Sequence, residues 1–372
     1  SDASGSAGAV LNINFGQRSF AYTPPTGYKA LCTANLPAAT IKKGNQYMDA
    51  TLYTGNASTN TIVNAAGFSP DIVWGKSRST ADFHVIANSV VGANKYLFTN
   101  STSAEGSLTD VITSFNSNGF TLGANQTINV NGASSVAWQW DAGSSTVTNT
   151  NGTISSQVRA NPTAGVSVVT WSAQATAGTV GHGLGVAPKM IITKTRATTF
   201  DWFTYHVSVG AGKYMLLNST AAATTNATVF STSPTSTVFD AGTGNTTGNG
   251  YGAQVAYCFS EISGFSKAFS YTGNGSADGV FSYLGFTPKL ILLKRTDTTG
   301  NWIMWDTVRN TYNVLGAELY PNLSNAEATA TDLDVLSNGF KIRNTTAAFN
   351  ASGGTYIGFA WATNPFANSN AV

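Results

Sequence analysis

The chain has 372 residues, with 19 basic and 17 acidic side chains and a formal net charge of +2. Charged residues make up only 10% of it, against roughly 25% in an average soluble domain, and they form no Lys/Arg cluster large enough to hold a phosphate backbone, which excludes a nucleic-acid surface. Hydrophobic residues at 42%, aromatics at 11% and 38 glycines exclude a disordered chain and favour strands joined by Gly turns over helices.

Length sets an expectation of roughly two to four domains. The start, Ser1-Asp2-Ala3-Ser4-Gly5, has neither the basic nor the apolar region of a secretion signal, and opening on Ser1 fits a processed product or a fragment. No apolar run reaches the ~18 residues that argue for a membrane helix, so no membrane insertion is expected.

Residues 1–50 have their own character. Leu11, Ile13 and Phe15 alternate as in a half-buried strand, and Pro24-Pro25-Thr26-Gly27 marks a stiff turn. One or two strands bury too little apolar area to stand alone, so this segment is expected to pack on its neighbours. Cys32 and Cys258 have no metal-type spacing and are read as free buried thiols.

One motif then recurs three times: Gly67-Phe68-Ser69-Pro70-Asp71-Ile72-Val73-Trp74-Gly75-Lys76, Gly185 to Lys194, and Gly285 to Lys294. Gly and Pro punctuate a turn, a continuous apolar run predicts a strand buried on both faces, and a lysine ends it. An aromatic and a polar loop precede each copy (Tyr53, Trp171, Tyr271), and an aromatic strand follows (Phe83-His84, Trp202-Phe203, Trp302-Ile303). Lys95-Tyr96 and Lys213-Tyr214 match in two copies, whereas the third diverges at Val314 to Leu319. Asn118-Gly119 and Asn338-Gly339 predict tight hairpins. Each unit closes on alternating aromatics: Trp138 and Trp140, Tyr257 and Phe259, Phe359 and Trp361.

These anchors predict an all-β chain of three tandem antiparallel β-sandwich-like repeats at 51–144, 165–262 and 267–366, with a linker at 145–164 that is either flexible or an extra hairpin. The short Glu261–Lys267 junction holds the last two units in fixed contact.

No nucleophile elbow or phosphate loop is present, and no catalytic residue, metal site or cofactor is expected. His84 and His206 fall at similar places in two copies and are read as structural donors. Asp332 and Asp334 share a strand face, the spacing a glycosidase pair could use, though a solvated loop is the plainer reading. Aromatic faces with Asn and Asp side chains suit sugars. Trp171, Trp202, Trp302, Trp305, Asn274 and Asp278 are the candidate ligand-binding residues, with core packing the natural alternative for the four tryptophans.

The run Asn14-Phe15-Gly16-Gln17-Arg18, Phe20 and Pro24 to Leu31 resembles the closing strands of SPRY-type, concanavalin-like domains in the version found in phage tail proteins. The repeat motifs resemble a domain that follows SPRY segments in phage tail fibres. The resemblance covers residues 9–366, and that family offers no catalytic residues to carry over. It implies a structural protein of the virion surface, a phage tail fibre with host-receptor glycan binding. The alternatives are a capsid head fibre or decoration protein and a polysaccharide depolymerase. Expected partners are the chain itself as a homotrimer, other virion proteins and host surface glycans.

Overall fold

The computed structural model describes residues 40–174, 176–242 and 251–362, together with Asn14, Arg18, Phe20, Tyr22, Thr23 and Pro25. The strands expected over 9–37, like Cys32, lie outside that set apart from those isolated positions.

The described chain is all-β, as the composition predicts. The first unit holds β1 (Met48–Thr54), β2 (Asn60–Val63), β3 (Ile72–Ser77), β4 (Val85–Asn88), β5 (Leu97–Phe98), β6 (Ile112–Asn116), β7 (Gly119–Leu122) and β8 (Ser134–Trp140). They form a five-stranded sheet, β1-β8-β3-β4-β5, and a three-stranded sheet, β2-β7-β6.

The second unit holds β9 (Thr146–Asn149), β10 (Ser156–Asn161), β11 (Val166–Ser172), β12 (Thr179–Gly181), β13 (Met190–Thr195), β14 (Phe203–His206), β15 (Lys213–Leu216), β16 (Thr224–Thr225), β17 (Val238–Asp240) and β18 (Ala253–Phe259). The third holds β19 (Ser266–Thr272), β20 (Phe281–Tyr283), β21 (Leu290–Arg295), β22 (Trp302–Asp306), β23 (Leu315–Glu318), β24 (Ala328–Leu336), β25 (Gly339–Ile342), helix α1 (Ala347–Asn350) and β26 (Thr355–Trp361).

The larger sheets repeat one order: β1-β8-β3-β4, β11-β18-β13-β14 and β19-β26-β21-β22. Residues 145–164 take the hairpin alternative and form β9 and β10. β9 pairs with β10 and β10 with β11, so the second sheet grows to eight strands. The Ser/Thr/Asn composition that suggested a linker is the surface of a β-hairpin.

The repeated apolar strands β3, β13 and β21 are buried almost throughout. Period-two alternation divides their side chains between two cores. Val73, Ile191 and Ile291 face the core of their own sandwich. Ile72, Trp74, Met190, Ile192, Leu290 and Leu292 face a single core shared by all three units. The three larger sheets therefore pack face to face around a common centre, and the smaller sheets cap the outside. Trp140, Phe259 and Trp361, which end β8, β18 and β26, close the centre as a triangle with ring centroids 6.1, 5.4 and 5.3 Å apart. Each ring meets both others at steep angles, the edge-to-face arrangement aromatic quadrupoles favour.

The predicted hairpins form, but the glycines do a different job from the one expected. Asn116 pairs with Gly119 and Leu336 with Gly339, so the two-residue loops are Ser117-Asn118 and Ser337-Asn338. A Cβ on Gly119 would sit 1.9 Å from the Ile62 carbonyl oxygen, and one on Gly339 would sit 2.1 Å from that of Ser282. Close backbone approach of the neighbouring strand, not the turn, requires glycine there.

Candidate functional site

Strand register aligns the units residue by residue. Ile72 pairs with Asn88, Met190 with His206 and Leu290 with Asp306, which makes Asn88, His206 and Asp306 equivalent. Four positions earlier, His84 is therefore equivalent to Trp202 and Trp302. The backbone N–H of each donates to an Asn side chain: Asn100, Asn218 or Asn322, at 2.9–3.0 Å. This corrects the expected equivalence of His84 with His206.

The equivalent positions reach across to the next unit in one rotational sense. Asn88 donates to the Tyr257 hydroxyl (3.1 Å), His206 Nε2 lies 3.0 Å from the Gly358 carbonyl, and Asp306 accepts from Trp138 Nε1 (2.9 Å). In the opposite sense, Trp202 Nε1 donates to the Phe98 carbonyl and Trp302 Nε1 to that of Leu216, both at 2.9 Å. In the remaining junction His84 faces the Tyr320 backbone. The units thus close a ring with pseudo-threefold order.

An equivalent backbone hydrogen bond joins each junction: Glu105 to Arg196 (2.9 Å), Ala223 to Thr296 (3.0 Å) and Glu327 to Arg78 (2.8 Å). Two of the three add a bidentate ion pair between the same residues, Arg196–Glu105 and Arg78–Glu327. The third has Ala and Thr in their place. Its arginine, Arg295, falls one residue earlier in the strand, where alternation turns it to the other face. There it pairs with Asp297 and lies over the Tyr356 ring, its Cζ 5.8 Å from the centroid.

The lysine ending each motif reads, by sequence, as a polar strand end. Lys76, Lys194 and Lys294 are instead fully buried. Each Nζ donates to two backbone carbonyls: Ser77 and Thr80, Thr195 and Thr198, Thr220 and Gly300. Burial holds all three down to about 8.

The four candidate tryptophans prove to be core residues. Trp202 and Trp302 lie in the shared core, while Trp171 and Trp305 lie in two separate sandwich cores. Trp202, Trp302 and Trp305 are 0% exposed and Trp171 is 6% exposed, so none offers a ring face to a ligand. Asn274 and Asp278 sit on an exposed loop and serve it internally. Asn274 Nδ2 donates to the Asp278 carbonyl and its Oδ1 accepts the Ser276 N–H, while Asp278 pairs with Lys341. Asn56 makes the same turn in the first unit. The structure does not gather the six into one site.

The acids are also redistributed. Asp334 pairs with Arg343 rather than with Asp332. Asp332 accepts from Trp305 Nε1 (2.9 Å) and Asn344 Nδ2 (3.0 Å), and shares a hydrogen bond with Glu318, which also takes the Tyr320 hydroxyl. Burial, then the Glu318 charge, raise Asp332 to about 7. Glu318 stands where the first two units have Tyr96 and Tyr214, in the segment where the third copy diverges. Two carboxyls bonded to each other, 1% and 8% exposed, leave no room for the glycosidic bond that a catalytic pair must flank about 5–9.5 Å apart.

The histidines are held neutral by burial. His84 is depressed well below the ordinary imidazole value and accepts from Trp74 Nε1 at 3.2 Å; His206 is lowered to about 4. Cys258 is a buried free thiol that burial pushes up to about 12, which keeps it unreactive. Among the described residues no three His, Cys, Asp or Glu side chains cluster as metal ligands, and no helix is long and apolar enough to cross a membrane.

Sequence reasoning missed Arg78, Glu105, Arg196, Glu327 and Asp306. A signal was present in Lys76-Ser77-Arg78 and Lys194-Thr195-Arg196, the same Lys-x-Arg after the same apolar run, but the glutamates that answer them lie in loops without a motif.

The profile of one domain family, described as a domain of unknown function (DUF7483), matches residues 43–365. No curated protein matches the chain.

Proposed function

The chain belongs to the DUF7483 family, and we propose that it is a non-catalytic structural protein of a virus particle's exterior, a phage tail fibre that meets the host receptor. One observation carries the non-catalytic part. The buried ionisable groups are engaged within the protein: Asp306 with Arg309 and Trp138, Asp332 with Glu318 and Trp305, and three lysines on backbone carbonyls. A general acid or base needs a substrate within hydrogen-bond reach, and these groups face protein on every side. The virion placement is supported by the resemblance of the three repeat motifs to those following SPRY segments in phage tail fibres. The low charge also suits an exposed β-surface hydrated by neutral Ser, Thr and Asn.

Homotrimeric assembly, contacts with other virion proteins and host glycans as receptors belong to the same reading. A head fibre or decoration role would use the same fold. Immunogold labelling of intact particles tests the placement: label along tail fibres is expected, label on the capsid would move the protein to the head, and none on the particle would end the virion reading. Incubation with purified host surface polysaccharide tests the chemistry. Unchanged chain length is expected, and shortened chains would make the protein a depolymerase.

A further inference from the structure

At the junction between the second and third units, Ala223 and Thr296 stand where the other junctions carry Glu and Arg, and the space so released is a groove. It has a volume of about 680 Å³, includes both of those residues in its wall, and runs between β15–β16 on one side and β19, β21 and β26 on the other. Sites for small ligands span roughly 300–1,000 Å³.

We infer that this groove binds an oligosaccharide. Its wall carries Lys213, Thr225, Thr272, Asp297 and Thr355, all exposed, backed by the core-packed Tyr271. Hydroxyls therefore dominate the polar groups, and one ammonium and one carboxylate leave the lining neutral. A polyanion would meet a single cation and be repelled by Asp297, so a nucleic acid or polyphosphate is disfavoured. A sugar ring matches this lining, because its hydroxyls both donate and accept, as do those of the lining Ser and Thr residues, while a C–H face can rest on the half-buried Val209.

The wall is also preorganised. The Tyr271 ring stacks on Tyr356 (5.0 Å, 17°), its hydroxyl donates 2.7 Å to the Phe349 carbonyl, and Thr296 Oγ1 lies 2.7 Å from Thr355 Oγ1. A rigid site loses less entropy on binding. The inference gives the proposed receptor-binding role a location and a ligand class, and rests on that role only for its biology.

The test uses the whole chain on an array of bacterial capsule and O-antigen oligosaccharides, followed by calorimetric titration of the strongest ligand. The double variant Ala223→Glu/Thr296→Arg rebuilds the ion pair of the other junctions and should fill the groove while keeping the fold. Its Kd is expected to rise at least about tenfold, or 1.4 kcal/mol, with the circular dichroism spectrum unchanged. The exposed pair Lys213→Ala/Thr225→Ala, which leaves the cores untouched, should weaken binding in the same direction if the first variant fails to fold. If wild type and variants bind one oligosaccharide equally, the groove is not the site, although receptor binding by the chain stands. If wild type binds no oligosaccharide on the array, the inference is overturned, while the non-catalytic structural reading is decided separately by labelling on particles.

Discussion

Arg78 and Glu327, 249 residues apart, are joined by two hydrogen bonds, from Nε at 2.8 Å and Nη2 at 2.7 Å. This pair links the first unit to the third, the one junction that chain connectivity does not already hold together. Glu105 and Arg196 make the same contact between units that are consecutive in the chain. Glu327→Ala should cost on the order of 2–3 kcal/mol, since bonds to charged groups contribute about 1.5–3 kcal/mol and Arg309 also loses a partner. Glu105→Ala should cost about 1–2 kcal/mol. Chemical denaturation gives both values. Equal losses would show that the closing junction has no special weight.

Asp306 and Arg309 form an ion pair with 0% exposure on both side chains. Burial alone would raise Asp306, but Arg309 and the Trp138 indole bring it below the ordinary carboxylate value. Asp306→Asn should therefore destabilise by about 3–5 kcal/mol, because it leaves a buried guanidinium without its counter-charge. The first unit has Asn88 and Val91 at these two places. Asp306→Asn/Arg309→Val should accordingly recover much of the loss, and simple additivity in the double-mutant cycle would rule out the coupling.

Removing one motif lysine should be expensive because its carbonyl partners lose their donor. Lys194→Met leaves the Thr195 and Thr198 carbonyls unpaired and should cost about 1–3 kcal/mol, whereas the exposed Lys213→Met should be near neutral. The pH dependence follows from the sign. The folded values near 8 lie below the unfolded 10.5, so between these values the unfolded chain binds more protons. Stability from these groups rises from pH 8 towards 10 and is lost as pH falls back through that window. Urea titrations at pH 8 and 9.5 would show the gain, and Lys194→Met should shrink it.

Asp332 gives the opposite slope at lower pH. Its folded value of about 7 exceeds the unfolded 3.8, so the folded state holds the extra proton between these limits. Its contribution to stability is full below about pH 4 and falls as pH rises to 7. Asp332→Asn, which keeps a neutral side chain at all pH values, should flatten the dependence of the thermal midpoint between pH 5 and 7.5. A slope unchanged in the variant would assign the effect elsewhere.

Much of the fold was legible because each repeat writes the same local physics three times. The apolar runs at Ile72, Met190 and Leu290 read as strands buried on both faces, and they are. Other features had no local signal. Trp202 and Trp302 suit both a sugar site and a core by residue type, and the covering units decided for the core. Residues 145–164 have a linker's composition because the outward faces of a hairpin are also Ser, Thr and Asn. The Asp332–Glu318 pair joins a strand already noted for its acids to the one segment where the third copy departs from the others.

The sequence by itself determined the all-β class, the threefold repetition and the order of strands within a unit, since alternation, turn residues and Gly-Pro punctuation act over a few neighbouring positions. Tertiary structure alone decided that the units close into a ring, which lysines are buried and which junction is left open. Those outcomes depend on pairs such as Arg78 with Glu327 and on the absence of such an ion pair at Ala223 and Thr296. Residues so far apart in the chain leave no periodicity to read, and their energy comes from burial and geometry that exist only once the ring has closed.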